Sequence, residues 1–130
     1  MSRTAALLRW YANCLNLTTV GGLTLATAAR LRLRVGPRGV ILASGYRWAL
    51  PDAAAFTVGN VVISRSPIDP RTHPRLLRHE ERHCTQYALC LGLPFLPLYA
   101  LATGWSILRT GDRARGNVFE KLAGLDDGGY

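Results

Sequence analysis

The chain is almost without lysine: of its sixteen basic residues only Lys121 is not arginine, and eight acids leave a formal charge of +8. The arginines are scattered rather than run together, so a basic surface follows without a basic tail. No exposed-aromatic interleaving or nucleic-acid reader motif accompanies them, and a nucleic-acid partner is not expected. Cysteine is scarce as well. Cys14, Cys84 and Cys90 are an odd number with no C-x-x-C spacing, which argues against a disulfide framework or a zinc ribbon. Reduced, packed thiols in a cytoplasmic protein are the expectation. An export signal is not evident, because Arg9 interrupts the first apolar stretch and Asn and Thr follow it. A length of 130 residues suits a single domain over 1–130, with one core and a compact site but no separate substrate-binding domain.

Formal charge is missing altogether from Cys84 to Leu108, a run of twenty-five residues, long enough to cross a bilayer. Gly92, Pro94 and Pro97 interrupt its middle. Two shorter helices, buried against the domain or dipping into a membrane face, are therefore expected instead of a span.

Leu7, Trp10, Cys14 and Leu17 recur at helical spacing and predict a helix from about Thr4 to Leu17, ended by Gly21-Gly22. Leu31 to Trp48 alternates and then turns through Gly36-Pro37-Arg38-Gly39, the pattern of a β-hairpin. A second pair, "AFTV" and "VVIS", flanks Gly59-Asn60. A small antiparallel sheet is thus expected in the first half, with Val61 to Ser64 as an edge strand open to an extended peptide. Pro74 marks the start of the next helix, with Thr72 or His73 at its cap and an end near Leu91. Phe95 to Leu108 predicts a further apolar helix, and Thr110-Gly111-Asp112 introduces a last one through about Ala123.

The second of these helices carries "LLRHEERHCTQY", in which His79, Glu80 and His83 stand as H-E-x-x-H. Chance places that pattern in a chain of this length on the order of once in a few hundred. On a helix, His79 and His83 lie about 40° apart and one turn along the axis, so both imidazoles can meet one ion. Zinc favours neutral imidazole, and a hydrolytic site needs three protein ligands plus an open position for water. A carboxylate beside the metal then takes the water's proton, a role for Glu80. Glu81 is turned toward the surface and has no catalytic role in this reading. Gln86 continues the polar stripe. Cys90 lies about 10 Å from His83 along the axis and makes a poor ligand. Cys84 points to the apolar side, as a packed thiol.

Among the later acids only Glu120, in "GNVFEKLAGL", sits within an apolar helical pattern, which makes it the candidate third ligand. His73, about 9 Å before His79 along the axis, is the rival.

Together, "LLRHEERHCTQYALCLGLPFLPLYAL" and "GNVFEKLAGL" resemble the short zincin-type, gluzincin-like metallopeptidases, whose pattern is H-E-x-x-H-x-x-Q followed by a late N-x-[FY]-E. The resemblance covers about Pro74 to Leu125. It implies one Zn²⁺ per chain held by His79, His83 and Glu120, Glu80 as general base and acid, and a peptide or protein substrate. Gln86 and Asn117 match patterned positions without an assigned role. Tyr46, Tyr87, Tyr99 and Tyr130 are all candidates for the oxyanion-stabilising residue. The expected fold is α+β: an N-terminal helix and small antiparallel sheet packed on a zincin-like helical half. Two other classes remain: a non-catalytic zinc-stabilised binding protein, and a small protein held at a membrane surface by the apolar Leu91 to Leu108 segment and an arginine flank.

Overall fold

A computed structural model describes residues 1–130. The fold is α+β, with five α-helices and a four-stranded sheet. Helix α1 (Arg3–Leu15) is followed at once by α2 (Thr18–Ala28). The expected break at Gly21-Gly22 does not occur, and these glycines lie inside α2. Packing is the reason: a Cβ on Gly22 would stand 2.5 Å from the Val58 carbonyl and 2.9 Å from Val61. Glycine here lets a helix of poor intrinsic propensity lie directly on the sheet. The turn between α1 and α2 falls instead at Leu17, whose φ is 69°. There Asn16 Oδ1 accepts from the Thr18 amide at 3.0 Å.

Strands β1 (Arg32–Val35) and β2 (Ile41–Ser44) form the first hairpin, and β3 (Ala55–Val58) and β4 (Val61–Ser64) form the second, around Gly59-Asn60. The sheet order is β1-β2-β4-β3, and β2 pairs β4 in parallel. The sheet is therefore mixed, not antiparallel: β3 runs out to the edge and the hairpin returns β4 into the interior. This also corrects the expectation of an edge strand at Val61 to Ser64. All four of those residues are buried, as suits an uninterrupted apolar run covered on both faces. The edge on this side is β3.

Two apolar clusters occupy the two faces. Ala26, Ala43, Tyr46, Val61 and Ile63 pack between the sheet and α2. Val40, Leu42, Val62, Ile68, Leu77 and Cys84 pack between the sheet and helix α3 (Pro74–Leu89). Cys84 is fully buried, and burial pushes its thiol up to about 12, so it is an inert core residue.

His73 occupies the N-cap of α3 with Pro74 next to it. Helix α1 crosses the flank of α3 that was read as exposed. Glu81 is consequently buried: Arg9 Nη1 lies 3.3 Å from its carboxylate, and Arg38 Nε donates to both oxygens at 2.9 Å. Asn13 completes the junction by donating to Asn60 Oδ1 and the Cys84 carbonyl, each at 2.9 Å. Helix α4 (Phe95–Thr110) matches its expected position. Helix α5 (Val118–Ala123) begins six residues later than expected from Thr110-Gly111-Asp112. Those residues form a turn, in which Asp112 accepts from the Ala114 and Arg115 amides at 2.7 and 3.1 Å.

Candidate metal centre

Helix α3 turns His79 and His83 toward α5, and Glu120 comes from α5 to meet them. The ligand atoms of these three residues lie within 4.8 Å of one another. His79 Nε2 and His83 Nε2 are 3.2 Å apart, and Glu120 Oε1 stands 3.5 and 2.5 Å from them. All three side chains are buried, with 2%, 7% and 2% of their surfaces exposed.

The remaining ring nitrogens settle which atoms face the cluster. His79 Nδ1 donates to the Gly124 carbonyl at 2.8 Å, since a carbonyl can only accept. Gln86 Nε2 donates to the Phe119 carbonyl at 2.9 Å, so its Oε1 accepts from His83 Nδ1 at 2.8 Å. In neutral imidazoles both protons are then on Nδ1, and both Nε2 lone pairs point inward. Glu120 Oε1 is fully buried and accepts no hydrogen bond. Three acceptors thus converge on one point, an arrangement that repels itself unless a cation or a proton lies between them. Two imidazoles and a carboxylate, each imidazole oriented by an outer acceptor, are a donor set suited to zinc.

Without metal, a proton is the only relief. Burial opposes a charged His79, but Glu120, Glu80 and the Gly124 carbonyl outweigh it and raise the imidazole above its ordinary 6.5. Burial likewise opposes a charged Glu120, but a proton shared from either histidine Nε2, with the charge it brings, holds the carboxyl far below the usual carboxylate range. A divalent cation balances all three atoms at once.

Several supporting residues were invisible in the sequence or had no role there. Asn117 caps α5, its Oδ1 accepting from the Phe119 and Glu120 amides at 3.0 and 3.4 Å, and so sets where Glu120 projects. Gly124, at the end of the same short helix, orients His79. Gln86 ties His83 to α5. Replacing Gln86 by leucine leaves the His83 Nδ1–H without an acceptor and should weaken any metal held here about 10- to 100-fold with the fold retained. Chelator competition measures this, and a change below about threefold would remove Gln86 from the site's support.

Glu80 is buried beside the cluster without joining it. Its Oε2 accepts from Thr57 Oγ1, on β3, at 2.7 Å. Burial pushes its carboxyl upward, against the lowering influence of His83, Thr57 and His79. No local signal in "AFTV" marks Thr57 for this contact.

His73 does not reach the cluster; it is exposed, with Nδ1 accepting from the Asp69 amide at 3.3 Å. Of the four tyrosines, two lie at the site: Tyr99 has its ring centroid 6.2 Å from His83, and Tyr130 is 6.0 Å from His79. Tyr46 packs on Phe56 across the sheet, and Tyr87 is buried against Phe95. The 124–130 segment crosses the outer side of His79. A Cβ on Gly128 would meet that imidazole at 2.5 Å, and Asp127 is held by Arg75 at 2.8 Å and Arg82 at 3.2 Å. Two surface hollows, about 570 and 440 Å³, flank the arginine side of α3 and the Gly124–Asp127 turn; no cluster residue lines either.

Set against protein-family models, curated proteins and solved structures, the chain matches none of them.

Proposed function

We propose that the chain is a minimal zincin-type metallopeptidase, with one zinc held by His79, His83 and Glu120. The observation that carries this reading is the convergence of two inward Nε2 lone pairs and a partnerless buried carboxylate oxygen, with Glu80 held alongside. Zinc, when bound, supplies a Lewis acid that polarises a carbonyl and makes a water nucleophilic near neutral pH. The chain's own residues do the rest. Thr57 fixes Glu80 through Oε2, leaving Oε1 to take a proton from the attacking water and return it to the departing amine. Burial pushes the Glu80 carboxyl upward, the direction that makes it a better proton acceptor from the water. Tyr99 and Tyr130, whose rings stand beside His83 and His79, are the candidates for a donor to the developing oxyanion. An extended peptide would align along β3, the strand that carries Thr57.

A second reading, a non-catalytic zinc-stabilised protein, is favoured by one observation: the cluster is nearly inaccessible, with Gly128 closed over His79. One experiment separates the two. Zinc is measured in the purified chain, and hydrolysis of an unstructured protein is followed with and without a chelator. One zinc per chain with chelator-sensitive cleavage is expected; zinc without cleavage supports the second reading, and absence of zinc binding ends both.

A further inference from the structure

Helix α4 is built inside out for a water-facing helix. Its inner stripe, Phe95, Tyr99, Thr103 and Ser106, is half polar, and the Thr103 and Ser106 hydroxyls are hydrogen-bonded inward. Thr103 Oγ1 accepts from Asn117 Nδ2 at 3.2 Å, and Ser106 Oγ accepts from the Gly116 amide at 2.7 Å. Its outer side presents Leu101, Trp105 and Leu108, which are 71%, 59% and 83% exposed. The preceding turn adds Leu89, Leu91 and Leu93, all exposed. Gly92 packs directly on the Asn16 side chain, which places exposed Leu15 and Leu17 at the same corner. A contiguous apolar face of this kind is uncommon on a protein surrounded by water.

Charge decides what covers it. No acid lies between Glu81 and Asp112, and the chain carries +8. Arg109 stacks over the Trp105 ring at 5.3 Å, and exposed Arg113 and Arg115 follow at the same end of the helix. Arg113 bonds only to a backbone carbonyl, that of Asp52, and keeps its charge. Asp112 turns its carboxylate onto backbone amides. A second copy on this face would press like charges together, and a convex helix offers no groove for a peptide. No helix is long and apolar enough to cross a membrane. We propose that α4 and the 89–93 turn dock flat on an anionic phospholipid surface, leucines and Trp105 among the acyl chains and Arg109, Arg113 and Arg115 at the headgroups. Docking would hold Tyr99, on the inner side of α4, and His83 behind it within about one helix diameter of the lipid.

The full chain is sedimented with vesicles of phosphatidylcholine alone and with about one-third phosphatidylglycerol. Binding at least tenfold stronger to the anionic vesicles, falling with added salt, is expected. Arg109→Ser should weaken it about fivefold, the factor for about 1 kcal/mol per arginine at such a surface. Leu101→Asp with Leu108→Asp should weaken it more than tenfold while circular dichroism and zinc content stay unchanged, since both positions are exposed. Equal binding to both vesicle types, no binding, or an unaffected double variant would overturn the proposal. So would a dimer in sedimentation velocity that the double variant dissolves, which would assign the face to a second copy.

Discussion

Glu80→Gln is expected to keep one zinc per chain and to lose at least about 10²- to 10⁴-fold in peptide hydrolysis, the range a positioned general base contributes. The two halves of this result follow from different parts of the geometry. Metal is retained because Glu80 is not among the three converging atoms, and glutamine can still accept the Thr57 hydroxyl through its amide oxygen. Turnover is lost because an amide neither takes the water's proton nor returns it. Metal content and single-turnover cleavage are measured on the same preparation. An undiminished rate would eliminate the mechanism, and loss of zinc would move Glu80 into the ligand set.

Glu120→Gln should release zinc, lowering affinity by more than the roughly 100-fold that loss of a supporting residue costs. The variant is nonetheless expected to fold. An amide –NH₂ in place of Oε1 donates to the His79 and His83 Nε2 lone pairs, so the self-repelling cluster becomes a hydrogen-bonded one. The metal-free variant should also lose a pH dependence present in the parent. In metal-free parent protein the raised His79 pKa contributes stability that is fully present below 6.5 and disappears as pH rises through the folded-state value. With a neutral residue at 120 the main raising partner is gone, and thermal unfolding should vary less as pH rises above 6.5. Full zinc occupancy in Glu120→Gln would transfer the third-ligand role to another residue.

The motif helix was legible because helical geometry is local. Spacing alone placed His79 and His83 on one stripe, and Pro74, Gly92 and Pro94 marked both ends. Glu120 was legible for a different reason: with acids scarce, one inside an apolar pattern stands out. Which flank a neighbouring element covers was not legible. Glu81 was read as outward from α3 alone, yet α1 covers that flank and supplies Arg9. Helix α2 was missed because its two glycines and run of threonines oppose a helix in isolation; its stability comes from lying on Val58 and Val61. The second hairpin was found with its loop, but which strand lies at the edge depends on pairing with β2, a non-local contact.

Sequence by itself determined the donor inventory and its local order: two imidazoles one turn apart, a neighbouring glutamate, and a late glutamate within an apolar pattern. Periodicity and capping act over a few residues, and a chain carries that information in its order. Only tertiary structure decided that the three ligand atoms meet, that Gly124 and Gln86 turn both Nε2 atoms inward, that Thr57 fixes Glu80, and that α4 leaves its leucines outside. Each of those depends on contacts between residues far apart in the chain, where side-chain direction and burial are set by what packs opposite.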